Sequence, residues 1–141
     1  MEKIKIIIDT NLWISLLIGK KLTELSNLCN NNLISVYICE ELKIEFLRIA
    51  FRDKIKKYVT EQRIVDTLEL IETSCISVTI NNTIILSDLR DPNDMYLLDL
   101  AEKINADYIL TGDNDLLVLR NHRQTKIVSF MEFMTIKGKF Y

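Results

Sequence analysis

Glycine and proline are scarce in this chain, whose 141 residues include three Gly and one Pro. Collagen-like, linker-dominated and disordered chains are rich in these residues or in low-complexity stretches, so the composition excludes those classes. The content of 48% hydrophobic and 27% charged residues is that of a globular protein. The length suits one compact domain, and we predict a single domain over residues 1–141.

Long apolar runs are also missing from the sequence. The longest, Leu12–Ile18, contains Ser15 and is far shorter than the roughly 18 to 20 residues of a membrane-spanning helix. The apolar run at the start of the chain ends at Asp9 and is too short for a secretory signal. We therefore expect a cytoplasmic protein without a membrane span.

Cysteine and histidine are too few to suggest a metal or disulfide framework. Cys29, Cys39 and Cys75 are widely spaced and form no CxxC pair, which favours reduced core thiols over disulfides or a zinc site. The single histidine, His122, has no obvious liganding partner in the sequence. The scarcity of these two residue types agrees with a metal site built from oxygen ligands.

The chain has no excess of positive charge: it contains 18 basic and 20 acidic residues, and its net charge is −2. Bulk charge therefore does not favour nucleic-acid binding. If four acids were gathered in one metal site, the remainder would hold 18 basic and 16 acidic residues. A basic run at Arg48, Arg52, Lys54, Lys56 and Lys57 is most simply a solvated face, and the alternative is a surface that follows a phosphate backbone.

Short runs of β-branched residues alternate with longer helix-like segments along the chain. This alternation predicts an α/β fold around a mostly parallel sheet of about five strands. The five predicted strands are Lys3–Ile8, Leu33–Ile38, Cys75–Thr79, Tyr108–Thr111 and Lys126–Ser129. The first becomes continuously apolar toward its end, as a central strand buried on both faces does. The aromatic residues that we expect in the core are Trp13, Phe46, Phe51, Phe130 and Phe133.

Three amphipathic helices can be placed from their apolar spacing and start signals. We predict helices over Glu40–Ala50 and over Glu61–Ile71, the second capped by Thr60. A third has Asp91 as its N-cap and Pro92 at its first position. The segment between residues 79 and 90 is either a loop or a short extra strand, and the sequence leaves both open.

Acidic residues follow the ends of two predicted strands. Asp9 comes directly after the first strand, and Asp113 and Asp115 come after the fourth. In an open parallel sheet, ligands bind beyond the carboxyl ends of the strands, so these residues are placed for function. Asp94 lies in the first turn of the third helix, and Glu45 lies in the helix after the second strand. Carboxylates that converge in this way repel one another unless a cation lies between them, and oxygen ligands favour Mg²⁺ or Mn²⁺.

Each acid also has a simpler structural interpretation. Asp9 could cap the helix that follows it, and Asp113 and Asp115 could be ordinary turn residues. Glu45 could be a solvated helix residue, although it lies at the margin of the apolar stripe. Asp94 could form a capping box with Asp91, yet its spacing from Leu97, Leu98 and Ala101 places it at the head of the apolar stripe.

The ordered set of acids resembles the PIN-domain nucleases. The residues that carry the resemblance are Asp9-Thr10-Asn11, Glu45, Asp91-Pro92-Asn93-Asp94 and Thr111-Gly112-Asp113. No single motif is highly specific, but the order and spacing are, and the resemblance extends over nearly the whole chain. More narrowly, the sequence is similar to bacterial PIN proteins assigned as toxins of toxin–antitoxin systems.

The resemblance implies a three-layer α/β/α sandwich and a metal-dependent endoribonuclease acting on RNA. It places the four catalytic, metal-binding acids at Asp9, Glu45, Asp94 and Asp113, with Mg²⁺ or Mn²⁺ as cofactor. It assigns supporting roles to Thr111 and Asn11, while Asp115 is an additional candidate. Glu41, one helical turn before Glu45, competes with it for the second acid, and Glu40 is a further nearby competitor. A cognate antitoxin and a homodimer are implied as partners, and Leu16, Leu17 and Leu25 are candidate dimer contacts if they are not in the core.

Two other functions remain as alternatives. A phosphohydrolase with an aspartate nucleophile would place a second Asp two residues after the first, where this chain has Asn11. A non-catalytic module that binds RNA or a protein would use the acids for structure alone. Nucleotide-binding loops of the GxxxxGK and GxGxxG types do not occur in the sequence.

Overall fold

The computed structural model describes residues 3–80 and 92–139, excluding the side chains of residues 92–95. Six strands and eight helices lie within these residues. In chain order they are β1 (Ile4–Ile8), α1 (Thr10–Ile18), α2 (Leu22–Cys29), β2 (Ile34–Ile38), α3 (Glu40–Ala50), α4 (Asp53–Lys56), α5 (Glu61–Ser74), β3 (Ile76–Ser77), α6 (Pro92–Ile104), β4 (Tyr108–Leu110), α7 (Asn114–Leu117), β5 (Asn121–His122), β6 (Thr125–Val128) and α8 (Phe130–Lys137). The predicted α/β class with a mostly parallel sheet is confirmed, and the arrangement agrees with an α/β/α sandwich.

The strands form one sheet in the order β3-β2-β1-β4-β6-β5. All neighbouring pairs are parallel except β5 and β6, which are antiparallel. The chain moves outward from β1 to β2 and β3 and then returns to the other side of β1 to form β4. The strand order therefore reverses between β1 and β4, and the carboxyl ends of these two strands flank the position where ligands bind in such sheets.

The apolar run at the start of the chain forms the central strand, as predicted. Ile6, Ile7 and Ile8 are completely buried, because helices cover both faces of the sheet at β1. α6 packs against β1, whereas α1, α3 and α5 contact one another. The predicted strands correspond to β1, β2, β3, β4 and β6 with end shifts of one or two residues, and the two-residue β5 was not predicted.

The predicted helices are confirmed with small changes at their ends. α3 has the predicted bounds, and α5 begins at Glu61 with the Thr60 side chain accepting a hydrogen bond from the Arg63 N–H, but it continues to Ser74. α6 begins at Pro92, as predicted, while its expected cap Asp91 and the open segment at 81–90 lie outside the described residues. Among the described residues, no helix has the length and hydropathy that a membrane crossing requires.

Burial decides between core and surface for several apolar side chains. Leu16, Leu17 and Leu25 are buried in the core, so they are not available as dimer contacts. Phe51 was expected in the core but is 43% exposed, because α3 ends at Ala50 and the chain turns there toward α4. Trp13, Phe46 and Phe133 are buried as predicted, while Phe130 is half-buried.

Candidate active site

The candidate site lies at the carboxyl ends of β1 and β4. Asp9 follows β1, and its backbone N–H donates to the Leu110 carbonyl at 2.9 Å. Thr111 follows β4, and its N–H donates to the Val128 carbonyl at the end of β6 at 3.0 Å. These backbone hydrogen bonds continue the sheet past the last residue of each strand, so the first residues beyond β1 and β4 are held next to each other.

Asp9 and Thr111 are joined by a buried side-chain hydrogen bond. The Thr111 hydroxyl donates to Oδ2 of Asp9 at 2.8 Å, and both residues are at most 2% exposed. Asp9 occupies the N-cap position of α1, but its side chain makes no capping hydrogen bond. The capping interpretation of Asp9 therefore holds only in part: the residue occupies the cap position and the N–H groups of Thr10 and Asn11 lie near its carboxylate, but the hydrogen bond that fixes the carboxylate comes from Thr111.

The surroundings of Asp9 disfavour its negative charge. Burial raises the pKa of Asp9, and the nearby charge of Asp113 raises it further. The Thr111 hydroxyl and the backbone N–H groups of Asn11 and Thr10 lower the pKa but do not outweigh the effect of burial. A bound cation at this position would offset both the burial and the repulsion from Asp113.

Asp113 is fixed by its neighbours on both sides. Its backbone N–H donates to the Thr111 hydroxyl oxygen at 3.0 Å, and its Oδ1 accepts from the Asp115 N–H at 2.9 Å. Asp113 thus caps α7, as the turn interpretation predicts. Since the cap uses Oδ1, and Oδ2 accepts no hydrogen bond from any described residue, one oxygen is available to a ligand. Asp115 is exposed and takes part through its backbone.

Glu45 points away from solvent. Its side chain is 11% exposed and forms an ion pair with Arg48, with Oε1 at 3.0 Å from Nη2. The competing acids differ in their surroundings: Glu40 is exposed and pairs with Lys43, while Glu41 contacts Cys39. Burial and, to a smaller extent, Glu41 raise the pKa of Cys39 to about 12. The interpretation of Glu45 as a fully solvated residue is therefore wrong.

Tyr96 is a site residue that the sequence did not reveal. This buried side chain belongs to α6, and its hydroxyl lies 2.9 Å from the Thr10 hydroxyl, next to Asp9. Burial raises the pKa of Tyr96, and the charges of Glu45, Cys39 and Asp9 raise it further. Tyr96 thus lies within electrostatic range of acids from two different elements. The available signal was a tyrosine two positions after Asp94, but a tyrosine on an apolar helix face is normally a core residue.

The remaining predicted residues are placed as follows. Asp94 lies in the first turn of α6, and its side chain is outside the described part of the chain. Asn11 is exposed in α1, with its backbone N–H directed at the Asp9 carboxylate. The structure therefore brings together Asp9, Thr111 and Asp113. The charge of Glu45 acts on Tyr96, whose hydroxyl contacts Thr10 next to Asp9.

The residues present are compatible with a hard divalent cation. Within the described residues, no group of three or more His, Cys, Asp or Glu side chains is assembled closely enough to hold a metal ion. Asp9 and Asp113 supply a pair of carboxylates in which burial and mutual repulsion penalise the uncompensated charge. Carboxylate oxygens are the donors that Mg²⁺ and Mn²⁺ prefer, so the donor chemistry fits these ions. His122 is engaged elsewhere, 2.9 Å from Glu102.

Two comparisons with known proteins agree with this arrangement. A family model described as a PIN domain matches residues 5–115, a span that contains all four predicted acids. An uncharacterized protein of Methanocaldococcus jannaschii is 34% identical over 129 residues, covering 86% of this chain and 79% of that protein.

Proposed function

This chain belongs to the PIN-domain family, whose members are generally nucleases, and we propose that it is a metal-dependent endoribonuclease. In this proposal residues 1–141 form one nuclease domain that hydrolyses RNA phosphodiester bonds. The observation that carries it is the buried Asp9 carboxylate, which is held by Thr111 beside Asp113 at the point where the strand order reverses.

We assign the cation to Asp9, Asp94 and Asp113, with Glu45 completing the set. Bound there, Mg²⁺ or Mn²⁺ would activate water and stabilise negative charge on the attacked phosphate. Thr111 orients Asp9 through its hydroxyl and Asp113 through the backbone N–H that it accepts. Asn11 lies next to Asp9 at the exposed side of α1 and is placed to orient water, and Asp115 holds the Asp113 side chain through its N–H.

The biological role that we propose is that of the toxin in a toxin–antitoxin pair. This role, RNA as the substrate, a cognate antitoxin, a homodimer and a cytoplasmic location all rest on the family resemblance. Expression of the wild-type chain should then arrest growth, and Asp9→Asn should relieve the arrest at equal protein level. Growth arrest of equal strength by both forms would contradict the assignment as a nuclease toxin. A monomer at micromolar concentration in size-exclusion chromatography would contradict the homodimer.

Cleavage of an end-labelled single-stranded RNA tests the enzymatic proposal. The wild-type chain should cleave with Mn²⁺ or Mg²⁺ and not in EDTA. Asp9→Asn should lower the rate by roughly 100-fold or more, equivalent to about 2.7 kcal/mol of transition-state stabilisation. Glu72→Gln, at an exposed position on α5, removes the same charge and should leave the rate unchanged. Cleavage that survives EDTA or Asp9→Asn would contradict the mechanism, and RNA binding without any cleavage would favour a non-catalytic module.

A further inference from the structure

The basic residues of this acidic protein are unevenly distributed. Six of the 18 lie between Lys43 and Lys57, where the only acids are Glu45 and Asp53. The chain as a whole has a net charge of −2, whereas this segment, which begins inside α3 after Glu40 and Glu41 and continues past α4, has six basic and two acidic residues and a net charge of +4. Such a local concentration of charge is the kind of feature that attracts a polyanion even when the net charge does not.

Several of these cations have no anionic partner among the described residues. Arg52, Lys54 and Lys57 are exposed, and none is within 4.0 Å of a carboxylate in the described part of the chain. Lys56, by contrast, pairs with Glu61 at 2.9 Å. Unpaired and exposed cations close together repel one another, and a phosphate backbone supplies the charge that would relieve this repulsion.

Exposed aromatic rings lie among the cations. Phe51 is 43% exposed and Tyr58 is 66% exposed, although large aromatic side chains are normally buried. The Lys56 ammonium lies 5.7 Å from the centre of the Phe51 ring, which places α4 beside the end of α3. Cations interleaved with exposed rings are what single-stranded nucleic acids bind, because the cations contact phosphates and the rings stack on unpaired bases.

Helix α3 links this basic segment to the candidate active site. Glu45 and Arg48 are paired in α3, and Arg52 lies two residues past the end of that helix, at the cap position of α4. Arg48 is 60% exposed in its side chain, whereas its partner Glu45 is 11% exposed, and the charge of Glu45 raises the pKa of Tyr96. α3 therefore leads from an acid of the site to the exposed basic and aromatic side chains.

We infer that the outer surface of α3 and α4 binds single-stranded RNA next to the catalytic site, by phosphate contacts and base stacking. The residues of this basic–aromatic face are Arg48, Phe51, Arg52, Lys54, Lys57 and Tyr58. The inference rests on the proposed function, since that function makes RNA the polyanion. It goes further because it assigns a surface outside the acidic site to the part of the RNA that extends beyond the cleaved bond.

Binding of a fluorescent 20-nucleotide oligouridine to the Asp9→Asn chain tests the phosphate contacts. The triple variant Arg52→Gln/Lys54→Gln/Lys57→Gln should bind at least about 10-fold more weakly near 0.1 M salt. Each lost phosphate contact lowers the slope of log Kobs against log salt by roughly 0.7, so the slope should fall by about 2. The control Lys3→Gln/Lys126→Gln/Lys139→Gln removes three exposed charges elsewhere and should change the affinity less than about 2-fold.

Variants of Tyr58 distinguish base stacking from phosphate contacts. Tyr58→Ala should weaken binding of the oligouridine by at least about 5-fold and leave binding of a 20-base-pair RNA duplex unchanged, because paired bases cannot stack on the ring. Tyr58→Phe keeps the ring and should bind both probes as the parent does. Thermal unfolding of each variant verifies that the fold is intact.

Three results would overturn the inference. The first is an equal loss of RNA affinity in the test and control triple variants. The second is an unchanged slope of log Kobs against log salt in the test variant. The third is a test variant that keeps its RNA affinity and loses affinity for polyglutamate. The last result would assign the face to an acidic protein partner. Failure of the proposed function gives a different result: a wild-type chain that binds oligouridine through this face and cleaves no RNA contradicts the nuclease and supports the binding surface.

Discussion

The hydroxyl of Thr111 donates a 2.8 Å hydrogen bond to Oδ2 of Asp9, a residue 102 positions earlier in the chain. The same hydroxyl oxygen accepts the N–H of Asp113 at 3.0 Å. One threonine hydroxyl therefore connects the carboxylate of Asp9 to the backbone of Asp113. Because β1 and β4 are neighbours only in the folded sheet, this arrangement depends on the reversal of strand order at β1.

Replacing Thr111 by valine should damage catalysis more than folding. Thr111→Val keeps the shape and removes the hydroxyl, so stability should fall by about 1 to 3 kcal/mol. Activity should fall by roughly 10- to 100-fold, as for other residues that orient a metal ligand. Urea unfolding and RNA cleavage measure the two effects.

Thr67 supplies the matched control for that change. It is also a buried threonine, but its hydroxyl donates to the Arg63 carbonyl within α5, away from the site. Thr67→Val should alter stability and leave the activity of the folded protein unchanged, while Thr111→Ser should restore much of the activity. Equal activity losses in Thr67→Val and Thr111→Val would contradict a positioning role for Thr111.

Tyr96→Phe tests the contact between α6 and α1. The change removes the hydroxyl that lies 2.9 Å from the Thr10 hydroxyl, and stability should fall by about 1 kcal/mol. We also expect weaker cleavage, because Tyr96 lies among the charges of Glu45 and Asp9. Tyr108→Phe keeps the edge-to-face contact with Phe133 and should leave both properties unchanged. Full activity in Tyr96→Phe would show that the tyrosine serves packing alone.

The pH dependence of stability tests the electrostatic state of Asp9. Burial and Asp113 raise the pKa of Asp9 above its ordinary value of 3.8, so the folded protein keeps the Asp9 proton to a higher pH than the unfolded chain does. The stability contributed by that proton is complete below pH 3.8 and is lost as pH rises through the folded-state pKa. In EDTA, Asp9→Asn should therefore gain stability relative to wild type as pH rises from about 4 to 8. A difference that is constant with pH would contradict the raised pKa.

Changes at Ser129 should lower stability and leave the cleavage activity unchanged. Its side chain accepts from the Glu132 N–H, and the Glu132 carboxylate accepts from the Ser129 N–H, so together they form a capping box for α8. Ser129→Ala should lower the free energy of unfolding by about 1 kcal/mol. The Ser129→Ala/Glu132→Ala pair should lose less than the sum of the single changes, since the two bonds share one turn. Cleavage per folded molecule should not change.

Local sequence signals predicted most of the fold because they are physical requirements of the elements. A continuous Ile run requires burial on both faces, and this placed β1 at the centre. The Thr60 cap and Pro92 at a helix start marked where α5 and α6 begin. β5 was missed because a two-residue strand has no periodicity, and its pairing with β6 depends on the turn between them.

The candidate site was predicted less completely. The spacing of Asp9 and Asp113 after apolar runs indicated their convergence, but the hydrogen bond of Thr111 to Asp9 depends on which strands are neighbours. Tyr96 could not be identified, since the partner of its hydroxyl lies 86 positions away. Phe51 was misplaced because the end of α3 turns it outward, and helix ends are determined by tertiary contacts that a single sequence does not show.

Thermal unfolding with and without Mn²⁺ tests the central claim, that the acids form a cation site. A ligand present at 100 times its Kd stabilises the folded state by about 2.7 kcal/mol, if it binds that state alone. Mn²⁺ should therefore raise the midpoint of the wild type and of Glu72→Gln and should not raise that of Asp9→Asn or Asp94→Asn. An equal response of all four proteins, or no response of the wild type, would contradict the claim and leave the acids with a structural role.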